Sequence, residues 1–303
     1  MIIMEKSIKL ITYNIDGLPE VLDLKDLPRI LKPICWIYKL IKKTTLIKIN
    51  DNKNQCEKIS NYLLKNNADV VAVQEDFNYH NELMKFLSHY KDCTNTGKIS
   101  LSNVSWFPPK FKTDGINLLY KKDKIKINEE NIISWNKSNG YISHANDKLT
   151  KKGFRFYELN FENINLDLYI IHMDADFYHP QNCPDVKKDI KARQSQFKQL
   201  SDFILNRSKY VHNPVIIMGD TNSYNKYEWD IQNLEKFKKN INANLELCCE
   251  EIIPNNYEDC DRIFIINNIY SQYKLESIDC YFDKEIKLSD HKPLITVLNI
   301  REC

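Results

Sequence analysis

Eight polar residues stand where apolar runs give way to turns: Asn14, Glu75, His172, Asp220, Asn222, Asp261, Asp290 and His291. No cysteine or serine nucleophile is among them, and the chain has no G-x-x-x-x-G-K-[ST] phosphate loop. Carboxylates, amides and imidazoles without thiolates suit a hard, oxygen-loving cation, not zinc. The chemistry such a set supports is metal-assisted attack of water on a phosphate ester.

Those residues need elements to hold them, and the stretch 215–224, VIIMGDTNSY, shows the pattern best. Four apolar residues read as a buried strand. The strand stops at Gly219, and Asp220, Thr221 and Asn222 follow on a turn. A carboxylate and an amide at the end of a buried strand are costly as core and sensible as chemistry. The same device recurs. A β-rich run at 7–15 delivers Asn14 and then the turn Asp16-Gly17-Leu18-Pro19. The run 68–74, ADVVAVQ, ends in the acidic pair Glu75-Asp76, a candidate Mg²⁺ position. The run 166–172, LDLYIIH, ends in His172, and 261–266, DRIFII, starts a strand at its acid. Ser289-Asp290-His291 leads into a last strand, LITVLNI. Each residue taken singly also has a plain structural reading, as a strand-end cap or a solvated turn.

Strands 114–120 and 153–161 add to the count, and helices are expected over 55–66 and 190–205 and within 225–247. The aromatics Trp106, Phe107 and Phe111 around Pro108-Pro109 suggest an ordered loop that either lines a cleft or covers a sheet edge. The segment 22–49 is less regular. Its basic amphipathic part, 32–43, fits either a membrane or anionic surface, or a helix or loop packed over the core. Neither a linker nor an internal repeat divides the 303 residues, so one domain over 1–303 is expected, with an insertion at about 22–50.

A net charge of +2 gives no global field of the kind that marks a nucleic-acid binder. Nine cysteines, an odd number without C-x-x-C pairs, suggest free thiols in a reducing compartment. The first strand-like run begins by Lys6, which leaves no room for a signal peptide, and no apolar run is long enough to span a membrane. An intracellular location is therefore expected. Nothing in the sequence points to an obligate protein partner.

In order along the chain, T-Y-N at 12–14, Q-E at 74–75, His172, G-D-T-N at 219–222, D-R-I-F at 261–264 and S-D-H at 289–291 resemble the DNase I-like endonuclease/exonuclease/phosphatase superfamily. The similarity runs from residue 7 to 299. It implies an α/β fold, a four-layered α/β sandwich of two packed mixed β-sheets flanked by helices. It also implies a hydrolase that uses Mg²⁺, with Mn²⁺ as a substitute. Carried over by position, Glu75, Asn14 and Asp290 would hold the metal. Asp220 would take the proton of the attacking water and Asn222 would orient it. His291, paired with Asp261, and His172 would contact the phosphate, and Asn117, Arg262 and Thr221 would contact substrate. Nucleic acid is the first substrate class. GDTN and DRIF are similar to tyrosyl-DNA phosphodiesterase, whereas CDRI and SDHKP resemble inositol polyphosphate 5-phosphatases. Against the latter, Pro-x-Trp is absent before Cys260, and no Arg follows Asn222. A sphingomyelinase-like phospholipid esterase and a catalytically inactive binding module on the same fold are the remaining alternatives.

Overall fold

The first sheet is built outward from strand β1 (Lys6–Asn14), whose second half is wholly buried. The computed structural model describes residues 5–16, 49–77, 80–92, 104–106, 109–111, 114–140, 147, 152–175, 184–254 and 260–303. The segments expected at 22–48 and 32–43, and Phe107 and Pro108, lie outside the described residues. Strand β1 pairs in parallel with β2 (Val70–Gln74), with Leu10 opposite Val70 and Asn14 opposite Gln74. On its other side it pairs antiparallel with β14 (Leu294–Glu302). Strand β13 (Tyr273–Phe282) lies beyond β14. On the β2 side come β6 (Asn117–Lys121) and the short β3 (Tyr90–Asp92), completing the order β13-β14-β1-β2-β6-β3.

The second sheet repeats the plan. Its central strands β9 (Ile164–His172) and β10 (Val215–Asp220) are again a parallel pair, flanked by antiparallel β8 (Gly153–Phe161) and β12 (Asp261–Asn268). Strands β7 (Ile125–Ser134) and β11 (Leu247–Ile252) form its edges. A separate two-stranded ribbon joins β4 (Val104–Trp106) to β5 (Pro109–Phe111). Within the aromatic segment expected there, the described residues on either side of 107–108 are thus paired as strands.

Strands buried on both faces read as unbroken apolar runs, and VVAV of β2 and VIIM of β10 are such runs. One face of each sheet meets the other in a core of Ile8, Leu10, Val70, Leu118, Leu168, Ile170, Ile216, Met218, Ile263 and Leu298, among others. The outer face of the first sheet is covered by helices α1 (Ile49–Asn66) and α2 (His80–Phe86), through Cys56, Ile59, Leu63 and Leu83. Helices α3 (Pro184–Ser208) and α4 (Glu228–Asn242) cover the second sheet through Phe197, Leu200, Ile204, Leu234, Phe237 and Ile241. Helix, sheet, sheet and helix are the four layers expected. Among the described residues no helix is long and apolar enough to cross a membrane, and the cysteines at 56, 248, 249, 260, 280 and 303 are free thiols.

Two consequences of this plan build the site. Parallel central strands end on the same side, so β1 and β2 present Asn14 and Glu75 together, and β9 and β10 present His172 and Asp220 together. Gly219 has φ +141°, and a Cβ there would lie 2.1 Å from the Ile171 carbonyl oxygen. Only glycine lets β10 approach β9 this closely, one residue before Asp220.

Candidate active site

Within the second sheet, registry alone sets three site residues in a row. Asp220 lies opposite His172 on one side and opposite Asp261 on the other. Asn14 reaches this row from the first sheet, its Nδ2 donating to Asp220 Oδ2 at 3.1 Å and to Glu75 Oε1 at 3.2 Å. One amide therefore ties the ends of both sheets together. The turns after the strands carry left-handed backbone at non-glycine residues, with φ 58° at Glu75 and 48° at Asn222. Such conformations cost about 1–3 kcal/mol each and persist where the surroundings impose them. Asn222 is held by its own N–H on Asp220 Oδ1 at 2.8 Å and by its side-chain amide on the Met173 carbonyl at 2.9 Å.

The last motif closes over this floor. Ser289 Oγ donates to the Asn14 carbonyl at 2.7 Å and accepts from the His291 N–H at 3.1 Å, so the loop is anchored to β1. His291 Nδ1 sits 2.6 Å from Asp261 Oδ2, and its Nε2 lies 3.9 Å from Asp220 Oδ2. Asp290 is exposed at the lip and accepts from Ser289 Oγ.

The electrostatics separate the two histidines. Burial works against a charged His291, but Asp261, Cys260 and Asp220 outweigh it and hold its pKa well above the usual histidine value. Burial, seconded by Lys152, pushes His172 well below that value, so it is neutral. Burial would raise Asp220, yet His291, His172 and Lys152 bring it down to about 2. Burial raises Glu75 in spite of Lys152, Asn14 and His291. His172 is fully buried, and among the described residues neither of its ring nitrogens has a hydrogen-bond partner. Its Nε2 lies 3.6 Å from Asp220 Oδ2 and 3.8 Å from Glu75 Oε1. A buried imidazole with no partner beside two carboxylates marks a place for a bound group.

Of the eleven residues expected, Asn14, Glu75, His172, Asp220, Asn222, Asp261 and His291 converge, with Asp290 at the rim. The other three are turned inward. Arg262 spends its guanidinium on Glu251, on Thr221 Oγ1, on the Ser223 carbonyl and on Asn225. Thr221 is fully buried and donates to the Cys260 carbonyl at 2.7 Å. Asn117 donates to Asp76 and lies 2.9 Å from His80 Nδ1. These bonds brace the site from behind. Asp76 also leaves its expected place beside Glu75, bonding His80 Nδ1 at 2.7 Å, while His80 Nε2 reaches Asp92 at 2.8 Å.

Lys152 is the charge that sequence reasoning missed. Its ammonium, 4% exposed, pairs with the fully buried Asp147 at 2.7 Å and donates to the Met173 carbonyl at 3.2 Å. Burial opposes its charge, but Asp147, Glu75 and Asp220 keep it protonated. It stands one residue before β8, yet nothing in the stretch TKKGFRF singles it out, because a lysine there reads as solvated.

Sequence comparison yields no matching family model and no matching curated protein. Structural comparison does. Similar structures include D. rerio TDP2 complexed with a single-strand DNA product, at 14% identity and TM-score 0.60, covering 97% of this chain and 99% of that one. A mutant beta toxin from Staphylococcus aureus with bound magnesium ions aligns at 17% identity and TM-score 0.61, covering 96% and 99%. An endonuclease/exonuclease/phosphatase family protein from Bacteroides thetaiotaomicron aligns at 14% and 0.57, covering 98% and 96%. The fold of this chain is therefore the DNase I-like α/β sandwich, the fold its motifs resemble.

Proposed function

We propose that this chain is a divalent-metal-dependent phosphoester hydrolase of the endonuclease/exonuclease/phosphatase superfamily, acting on a phosphodiester by in-line attack of an activated water. The observation that carries this reading is the row His172, Asp220 and Asp261 facing Asn14 and Glu75, with His291 clamped on Asp261. A divalent cation fits this site. Two carboxylates converge on one amide nitrogen, the adjacent imidazole has no partner among the described residues, and burial raises Glu75 despite its neighbours. Oxygen donors of this kind favour Mg²⁺, with Mn²⁺ as a substitute. Glu75 and Asn14 would hold it, with Asp290 at the rim, and when bound it supplies charge neutralisation at the phosphate.

The protein groups do the rest. Asp220, ionised down to about pH 2, accepts the proton of the attacking water. Asn222 has committed its amide nitrogen to Met173, so its oxygen is what it offers that water. Protonated His291 donates Nε2–H to a phosphoryl oxygen, its tautomer and tilt set by Asp261. Neutral His172 hydrogen-bonds the phosphate or the leaving oxygen.

Nucleic acid is the substrate class we favour. Just past Asn222, the Lys226 ammonium lies 5.1 Å from the ring centres of both Tyr224 and Tyr227, and Tyr227 stacks on Trp229 at 4.9 Å. Aromatic faces beside a cation suit bases and phosphates of a single strand. The related fold of TDP2 holding a single-strand DNA product supports the same choice. The test is a panel with Mg²⁺: bis-p-nitrophenyl phosphate, single- and double-stranded DNA, RNA, a 5′-tyrosyl oligonucleotide, inositol polyphosphates and sphingomyelin. Activity on one class, abolished by EDTA and reduced about 10²- to 10⁴-fold in Glu75→Ala and Asp220→Ala, is the expected result. A loss below about tenfold, or ~1.4 kcal/mol, in either variant refutes these roles. Silence of the folded protein across the panel would favour a binding module instead.

A further inference from the structure

Cys260 has no part in the hydrolytic scheme, yet its sulfur lies against the reacting carboxylate. Its Sγ is 3.3 Å from Asp220 Oδ1, and it is fully buried on the residue that precedes β12. One ligand atom each from Cys260, Asp220 and His291 fall within 4.8 Å of one another. We propose that these three residues form a second cation site, selective for a thiophilic divalent ion such as Zn²⁺ and separate from the oxygen-rich position at Glu75.

The geometry is close to what zinc requires. Tetrahedral Zn²⁺ with bonds of about 2.3 Å to sulfur and about 2.0–2.2 Å to nitrogen and oxygen sets neighbouring donors roughly 3.3–3.7 Å apart. Sulfur lies 3.3 Å from Asp220 Oδ1, and His291 Nε2 lies 3.9 Å from the other oxygen of that carboxylate, Oδ2. One atom of each residue falls within 4.8 Å of the others, so a turn of the Asp220 carboxylate and a contraction of the three side chains bring them onto one ion. The supports are in place as well. The Cys260 carbonyl accepts from the Thr221 N–H at 3.1 Å and from Thr221 Oγ1 at 2.7 Å, which fixes the backbone under the thiol. Asp261 on Nδ1 leaves Nε2 of His291 directed at the site, the carboxylate–histidine arrangement that orients zinc ligands. Three protein donors leave a fourth position for water.

Selectivity follows from the sulfur. Mg²⁺ demands oxygen ligands in near-octahedral order and keeps its waters, so a soft thiolate is a poor ligand for it; Zn²⁺ prefers the thiolate. On binding, the Cys260 S–H bond and the His291 Nε2–H bond both break, both protons pass to buffer, and the sulfur and nitrogen lone pairs bond the metal. A zinc ion held there withdraws Asp220 and His291 from water activation and phosphate binding. That inhibitory consequence, though not the site itself, rests on the hydrolase reading.

The binding test needs no substrate. Reduced full-length protein in excess Mg²⁺ is titrated with Co²⁺, which reports a thiolate ligand by charge-transfer absorption, and the Co²⁺ is then displaced with Zn²⁺ to obtain affinity. We expect a 1:1 charge-transfer signal that Cys260→Ser abolishes, with Zn²⁺ affinity at least about tenfold weaker. Asp261→Asn keeps the thiol but should weaken Zn²⁺ by about 10- to 100-fold. A wild type without the signal, or an undiminished signal in Cys260→Ser, overturns the proposal. If circular dichroism shows that Cys260→Ser does not fold, unchanged Zn²⁺ affinity in Asp261→Asn overturns it equally. A signal in a protein inactive toward every ester would uphold the site while sinking the hydrolase reading.

Discussion

Lys152→Met separates what the buried lysine does for the fold from what it does for the site. The ammonium is 4% exposed and 2.7 Å from a fully buried Asp147. At an effective dielectric of about 20, that separation corresponds to roughly 6 kcal/mol of attraction before desolvation is charged against it. Methionine matches the length of the stem but leaves Asp147, whose pKa burial already raises, without its counter-ion in the interior, with the Ala175 N–H at 2.9 Å among its remaining donors. Removing one partner of a buried pair costs about 3–5 kcal/mol. With a urea m-value of about 3 kcal/mol/M, the unfolding midpoint should drop by roughly 1–1.7 M. The double variant Asp147→Asn/Lys152→Met removes both charges and keeps an oxygen for the Ala175 N–H. It should recover at least about 2 kcal/mol of that loss. Turnover should not recover with it, because Lys152 also lowers Glu75 and helps keep His172 neutral. Urea unfolding followed by circular dichroism, with kcat measured on the same samples, decides the matter. A single variant within about 1 kcal/mol of wild type, or a double variant no more stable than the single, refutes the buried ion pair.

Two further outcomes follow from the geometry. Asp261 raises the pKa of His291, so a rate that needs the imidazolium is full below that raised value and falls as pH rises through it; Asp261→Asn should move this alkaline limb downward, toward about 6.5, and a limb that stays in place refutes the pairing. Gly219→Ala forces a side chain into φ +141° with its Cβ 2.1 Å from the Ile171 carbonyl oxygen, so thermal unfolding should report a loss of at least about 3 kcal/mol, and an alanine variant within about 1 kcal/mol of wild type would show that β9 and β10 are not held this tightly.

How far the fold could be read from sequence depended on where a strand sits in its sheet. Strands β1, β2, β6, β14, β8, β9, β10 and β12 all lie inside a sheet. They are covered on both faces or nearly so, and they announce themselves as apolar runs. Strands β3, β7, β11 and β13 are the four edges, and none was legible. The sequence of β7, IKINEENIIS, is exposed along most of its length, and β13, YKLESIDCYF, has only three buried positions. An edge strand needs little apolar surface and is better protected with charge, so its sequence resembles a loop.

The same blindness bears on where the expected site residues are placed. Asn14, Glu75, His172, Asp220 and Asp261 were legible because a polar group directly beside an apolar run is costly unless it has a purpose. Arg262 and Asn117 met that test too, yet they are bonded inward. Arg262 is engaged by Glu251, on the edge strand β11 that the sequence conceals, and Asn117 by Asp76 and by His80 at the head of the short helix α2. A polar residue at a strand end therefore declares only that it has a partner. Whether that partner is a substrate or another side chain is decided by the elements whose sequences say least. For Lys152 the argument runs in reverse: a lysine in a polar stretch looks solvated, and only Asp147, 2.7 Å from its ammonium, turns it into a buried charge beside the site. What sequence withholds here is tertiary pairing, and that is what separates the residues able to reach a phosphate from those that hold them in place.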